Sequence, residues 1–285
     1  MSEPQYFHIY ATANDTWHYY RDIQNLIRIY KMPSGVSRVN LYMAISKVKP
    51  VNFIDKTFVR LVRYLFNNHK NIALNQVLYK SNIGRDFSSY NVMLNIIKQQ
   101  ANLNDYVFFQ NRSGFGPFKE NWLTDFKSQF LKFPNTALCG STINFIDHPL
   151  RSDRNNLPHV QTYAFLSSIK YLNLLGESFP GINETSRLNI IFNGEIELSN
   201  KFLNLGYGLT CMEWPDQYIT RTTPALSDRD VRGIVKQQHQ FYHKGYILLN
   251  ERKTFRNWHY LKTLFLFILT SLSCGIFRLP TISKK

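Results

Sequence analysis

Three short polar stretches combine residue types that can bind or transform a phosphorylated or hydroxylated ligand. The first is Ser81-Asn82-Ile83-Gly84-Arg85-Asp86. Gly84 permits a tight turn with positive φ, and Arg85 offers a forked cation to a phosphate or a sugar hydroxyl. Asn82 and Asp86 can bond a ribose, base or sugar, although Asp86 can equally cap a following helix. The second stretch is Gln110-Asn111-Arg112-Ser113-Gly114-Phe115-Gly116-Pro117-Phe118. Its two glycines and proline shape a loop that a ligand can approach along the backbone, and Arg112 is read as a counter-charge to phosphate. Neutral Asn111 and Ser113 replace poorly a pair of carboxylates around a hard cation, so no metal ligand is assigned. The third group is His159-Val160-Gln161 with Glu195 and Glu197 further on. A well-placed carboxylate can take the proton of a sugar hydroxyl. Glu195 also suits the first turn of a helix, and His159 reads equally as a site histidine or a helix-terminal surface residue.

Positioning these groups requires strands that end where the polar stretches begin. Short apolar runs alternate with helical patterns, which predicts βα units and a mostly parallel sheet. Strands are expected at residues 7–13, 39–45, 72–79 and 106–109, the last a continuous apolar run suited to a buried centre. A further strand is expected over 136–143 and another over 207–212. Helices are expected after the first strand, capped by Asn14-Asp15-Thr16 and ended by Pro33-Ser34-Gly35, and after the second, capped by Asp55. Another begins at Asp86 and carries Phe87, Tyr90, Leu94 and Ile97 on one face. Residues 160–174 and 195–205 also read as helical, with Gly206 as a C-terminal cap. In open α/β sheets ligands bind beyond the carboxyl ends of the strands, which is where the first two polar stretches fall. Thr12, near the end of the first strand, is counted with them.

The chain has 285 residues, 44% hydrophobic and 19% charged, with 22 Phe and 17 Tyr. This composition suits one sizeable core and excludes disorder. Formal net charge is +15, concentrated at the end: from Arg221 onward there are twelve Lys/Arg against three Asp/Glu. An anionic partner is implied, whether a nucleotide diphosphate, a lipid phosphate, an acidic membrane surface or nucleic acid, although basicity also makes a solvated face. No helix-turn-helix, zinc-finger or RNP-type pattern appears, which sets nucleic acid aside. Cys139, Cys211 and Cys274 are far apart and odd in number, so buried reduced thiols are expected rather than a disulfide framework or zinc site. With the polar N-terminus, this points to a cytoplasmic location. Residues 264–277 carry no charge but fall short of the ~20 residues that cross a bilayer. Flanked by Lys262, Arg278, Lys284 and Lys285, they suit a buried or interfacial helix and peripheral membrane docking.

Taken in order, Asn82-Ile83-Gly84-Arg85-Asp86-Phe87, Val107-Phe108-Phe109-Gln110-Asn111-Arg112-Ser113 with Gly116-Pro117-Phe118, Gly140-Ser141-Thr142-Ile143-Asn144, His159-Val160-Gln161 and Gly194-Glu195-Ile196-Glu197-Leu198-Ser199 resemble a glycosyltransferase-like family that includes the rhamnan synthesis protein F group. The resemblance spans roughly residues 7–212. It implies a GT-A-like fold, a nucleotide-sugar donor and a glycan or lipid-linked acceptor. By this resemblance Asn82, Gly84, Arg85, Asp86, Asn111, Arg112 and Ser113 border the donor; Thr12 is placed on the donor side as a strand-end residue. Gln161 lies near the sugar or acceptor, and Glu195 and His159 are the catalytic candidates. Many nucleotide-sugar transferases carry Asp-x-Asp where Asn111-Arg112-Ser113 stands, so Mn²⁺ or Mg²⁺ dependence is expected to be weak or absent.

The expectation is therefore an α/β, GT-A-like single domain over residues 1–220, with a mostly parallel central sheet flanked by helices. A basic helical segment follows over 221–285, packed on the domain or membrane-associated. The expected activity is transfer of a hexose or deoxyhexose from a nucleotide-sugar donor to a polysaccharide or lipid-linked glycan. The alternative is a non-catalytic glycan- or partner-binding protein on a degenerate transferase fold.

Overall fold

The computed structural model describes residues 3–237, 239–246 and 265. It opens with β1 (Tyr6–Ala13), α1 (Tyr19–Lys31), β2 (Val39–Lys47), α2 (Phe53–Phe66), β3 (Ile72–Ser81), α3 (Arg85–Lys98) and β4 (Tyr106–Asn111). Next come a short β5 (Gly114–Phe115), α4 (Trp122–Leu131), β6 (Thr136–Gly140), and the paired β7 (Ile143–Asn144) and β8 (His159–Val160). β9 (Ala164–Ser168), α5 (Ile169–Leu172), α6 (Arg187–Ile190), α7 (Glu197–Asn204), β10 (Gly208–Cys211) and β11 (Tyr242–His243) complete it.

Seven strands form one sheet in the order β10-β6-β9-β4-β1-β2-β3. All its pairings are parallel except those of β9, which runs against both β4 and β6. This is the mostly parallel, helix-flanked α/β architecture expected from the alternating pattern. His8 and Tyr10 point to the face covered by α4 and α1, where they meet Trp122 and Asp22. Phe109 points to the other face, stacking on Phe165 at 4.5 Å and meeting Tyr90 of α3 edge-on. Burying each such ring contributes about 1.5–3 kcal/mol, so the sheet centre is fixed by aromatic side chains on both sides.

Several local expectations are corrected. Residues 160–174 are not a helix: they form the end of β8, then β9, and only then the short α5. A short apolar run buried on both faces has no period by which strand and helix can be told apart, and all five residues of β9 are buried. His159 therefore lies in a strand, not at a helix start. Glu195 does not open a helix either; it sits in a π-helical stretch, Ile191–Ile196, that leads into α7. The cap of α2 is Asn52, with Asp55 completing a reciprocal capping box three residues later. Asn14 caps nothing: its amide accepts from the Val48 backbone N–H at 2.8 Å and donates to the Lys49 carbonyl at 2.9 Å, tying the loops after β1 and β2 together. Asp86 makes no side-chain cap to α3.

The reversal of β9 has a functional consequence. Its amino end lies at the edge where the neighbouring parallel strands end, Ala164 standing opposite Gln110. Residues 159–163 are thereby brought beside the loops that follow β3 and β4. Cys139 and Cys211 are buried free thiols. Among the described residues no helix is long and apolar enough to cross a membrane. Cys274, Lys262 and the basic residues after it, and all of 264–277 except Phe265, lie outside the described residues.

Candidate active site

A cleft of about 260 Å³ opens at the carboxyl edge of the sheet. Of the sequence candidates, Arg85, Asp86, Asn111, Ser113 and Glu195 line it together. Gly84 holds the β3–α3 turn with φ +68°, and a Cβ there would stand 2.1 Å from the Ile182 carbonyl oxygen, so only glycine fits. Asp86 accepts a 2.8 Å hydrogen bond from the Asn111 side chain, whose oxygen in turn accepts from the Ser113 backbone N–H at 2.8 Å. This pair joins the loop after β3 to the loop after β4. Packing around the Asp86 carboxyl raises its pKa, opposed by Lys80 and Arg112. Asn82 is exposed and stands outside the cleft lining.

Arg112 does not reach a ligand position. Its guanidinium donates to Asp22 from Nε at 2.9 Å and lies 2.6 Å from the same carboxylate through Nη2, with a further bond to the Ala13 carbonyl. Asp22 also accepts from Thr12 at 2.7 Å and from Tyr10 at 2.9 Å. Thr12 and Arg112, read from the sequence as donor contacts, are thus spent inside a buried network that fastens α1 to β1 and the β4 loop. A buried carboxylate needs such partners, and Asp22 is fully buried.

On the other wall, Glu195 accepts from the Thr162 backbone N–H at 3.1 Å and from its hydroxyl at 2.7 Å, both through Oε2. Its other oxygen lies 3.7 Å from His159 Nε2. His159 Nδ1 donates to the Leu157 carbonyl at 2.6 Å, because a carbonyl can only accept. Burial lowers the His159 pKa, while the nearby Glu195 charge pulls it up. A neutral His159 with its proton on Nδ1 turns the Nε2 lone pair toward Glu195, and a proton placed between the two relieves that opposition. Gln161 is fully buried, accepting from Thr142 at 2.6 Å and donating to Asp230 at 3.2 Å, so it supports the wall from behind.

Besides Phe87 of α3 and Ile191, the cleft is lined by residues that the sequence did not single out as site residues: Thr162 and Tyr163 before β9, Arg187 and Ile190 of α6, and Arg232, His243 and Lys244 from the C-terminal segment. Arg85, Arg187 and Lys244 make no ion pair among the described residues. Arg232 pairs with Asp230 at 2.6 Å, and against burial this guanidinium holds the Asp230 carboxyl at about 2. The segment is secured on the domain by three contacts. Glu213, just after β10, accepts from the backbone N–H groups of Lys236 and Gln237 and from His239 Nε2 at 2.6 Å. Phe241, fully buried, packs on Phe108 and Trp122. β11 pairs antiparallel with β5, and the Lys244 N–H donates to the Ser113 carbonyl at 2.8 Å. The described part of the chain beyond residue 220 therefore packs on the sheet domain and supplies one side of the cleft.

A larger depression of about 610 Å³ lies at the start of β3, lined by Arg38, Arg63, His69 and Lys70 among others. It carries no carboxylate, and His69 is engaged with the Tyr30 carbonyl and the Asn71 and Ile72 backbone N–H groups. The chemistry-bearing side chains converge instead on the smaller cleft. Among the described residues no group of three or more His, Cys, Asp and Glu is arranged to hold a metal ion.

No family model matches the chain, and no curated protein matches it. Solved structures with a similar path include apo WbbM, a bifunctional glycosyltransferase, at TM-score 0.41 and 12% identity over 75% of this chain and 39% of that one. The galactosyltransferase LgtC in complex with donor and acceptor sugar analogs matches at TM-score 0.41 and 9% identity, covering 73% of each chain. TarS 1–349 of S. aureus matches at TM-score 0.44 and 14% identity over 76% of this chain and 60% of that one. The chain thus spans well under half of WbbM and less than two thirds of this TarS fragment. At these scores the likeness extends to no residue, substrate or activity.

Proposed function

We propose that the protein transfers a sugar, a hexose or deoxyhexose, from a nucleotide-diphosphate donor to a hydroxyl of a polysaccharide or lipid-linked glycan, on a GT-A-like domain. The observation that carries this reading is the convergence on one cleft of a carboxylate, Glu195, with four basic side chains, Arg85, Arg187, Arg232 and Lys244. A sugar diphosphate carries charge at one end and hydroxyls at the other, and the cleft offers groups for both. Asn111, Ser113 and Asp86 supply neutral and acidic acceptors and donors for ribose or sugar hydroxyls.

In the single-displacement form, the acceptor oxygen attacks the anomeric carbon and its proton passes to Glu195. The bond from that carbon to the diphosphate oxygen breaks, and the diphosphate leaves with the electron pair. Arg187, Arg232 and Lys244 offset the charge that develops on it. Thr162 fixes Oε2 of Glu195, leaving Oε1 toward His159 as the oxygen that receives a proton. A divalent cation does not fit this cleft well. Its two carboxylates, Asp86 and Glu195, are bonded to Asn111 and Thr162, and neutral Asn111 and Ser113 occupy the loop after β4.

The test is a panel of nucleotide sugars presented to the purified full-length chain with and without EDTA. Donor binding is read by thermal shift, and release of nucleoside diphosphate by a coupled assay. A donor at about 100 times its dissociation constant should stabilise the fold by about 2.7 kcal/mol. Binding without release would move the protein to the non-catalytic alternative, and absence of any donor binding would overturn the reading.

A further inference from the structure

The connections that follow β1 and β2, with the first turn of α2, hold large apolar side chains out into solvent. Trp17 is 79% exposed and Phe53 71%. Val48 and Ile54 are exposed beside them in sequence. The other exposed large apolar residues among those described are scattered along the sequence. Here the apolar residues sit on the two adjacent connections that leave neighbouring parallel strands, Trp17 in the turn before α1 and Phe53 and Ile54 in the first turn of α2, at the same edge of the sheet as the cleft.

These loops are not loose. Fully buried Asp55 accepts from the Tyr19 hydroxyl at 2.7 Å and from the Asn52 backbone N–H at 2.8 Å, with Lys49 Nζ at 3.5 Å. Asn14 bonds across to Val48 and Lys49. Tyr19 stacks on Phe58 at 4.1 Å, locking the start of α1 to α2. A buried polar network therefore fixes the backbone that carries Trp17 and Phe53, and their exposure is not the result of an unfixed loop. Charge around Phe53 is one-sided. Lys47 and Lys56 are exposed, and the sole acid between them is the buried Asp55. Asp15, partly exposed nearer Trp17, is an acid on that side, hydrogen-bonded to His18 at 2.5 Å.

We infer that this rim, Trp17 with Val48, Phe53 and Ile54 between Lys47 and Lys56, docks the protein on an anionic lipid bilayer. Tryptophan prefers the membrane–water boundary, where its ring meets acyl chains and its N–H meets water. Phe53 and Ile54 enter the headgroup–acyl boundary, and the lysines meet anionic headgroups. The rim shares the cleft's edge, so docking turns the cleft toward the bilayer. The inference does not depend on the transferase reading.

The full-length chain is tested by flotation with vesicles of phosphatidylcholine alone and with one-third phosphatidylglycerol. Partitioning onto the anionic vesicles is expected, and Trp17→Ser/Phe53→Ser should weaken it at least about tenfold with unchanged thermal midpoint. Lys47→Glu/Lys56→Glu should lose the preference for anionic vesicles. Equal partitioning of the Trp17→Ser/Phe53→Ser protein would overturn the inference, as would failure of the wild type to float. A lowered thermal midpoint in that variant would also overturn it, by showing that the rim is covered by another part of the chain or by a second copy. Turnover of a soluble donor is read in parallel. Vesicle binding without turnover leaves docking standing and removes only the transferase.

Discussion

Asp86 at the start of α3 and Asn111 at the end of β4 share a 2.8 Å hydrogen bond that closes one wall of the cleft. The same Asn111 side chain accepts from the Ser113 N–H, so one amide orders both loops. Asn111→Ala should therefore weaken nucleotide-sugar binding about tenfold, the worth of roughly one to two hydrogen bonds. Ser113→Ala should weaken it less. Titration of the folded variants with a bound donor checks both; unchanged affinity in each would remove this loop from the site.

Glu195→Gln should leave the fold intact, because glutamine keeps an oxygen to accept from Thr162. Turnover should fall by about 10²–10⁴, the usual contribution of a positioned base. His159→Gln should alter the acidic limb of the rate–pH profile more than donor affinity, since His159 meets Glu195 and stands outside the cleft lining. Equal kcat for Glu195→Gln and the wild type would exclude Glu195 as the proton acceptor.

Arg112 belongs to the fold. Arg112→Met leaves the Asp22 carboxylate buried without its guanidinium, a change that costs about 3–5 kcal/mol. Urea denaturation should show that loss, whereas a direct diphosphate contact would give a near-normal midpoint and a large loss of donor affinity.

Acid should unfold the protein early. Burial pushes the His8 imidazole down to about 3, a fall that the neighbouring Gln110 side chain opposes. The unfolded chain binds a proton at His8 near the usual 6.5, so the folded state is favoured above that pH. Stability is lost as pH falls from 6.5 toward 3. At pH 5 the loss from this group alone is about 2 kcal/mol. His8→Phe should flatten the dependence of the urea midpoint on pH between 6.5 and 5, and an unchanged slope would show that His8 does not carry it.

The first half of the fold is local information. In β1 to β4, apolar runs of strand length alternate with stretches of helical spacing, although α1 buries Ile23, Leu26 and Ile29 rather than the row Trp17, Tyr20, Ile23, Ile27 and Tyr30 that its spacing also offers. Gly84 and Gly206 announced their turns because both adopt positive φ, which other residues reach only with strain. Asp86 and Asn111 could be nominated because strand ends in such sheets face ligands, and Glu195 because a carboxylate can take the proton of a hydroxyl. β9 could not be read, since full burial erases the alternation that distinguishes a strand. Arg112 and Lys244 show the deeper limit. Both are basic residues with no local sign of their surroundings. Arg112 is consumed by Asp22, 90 residues away, because β1 and β4 pair in one register. Lys244 reaches the cleft because Glu213 and β5 clamp the returning chain. Sequence spacing sets backbone conformation and which face a side chain takes; which charge meets which is set by contacts between distant segments, and those exist only once the sheet has formed.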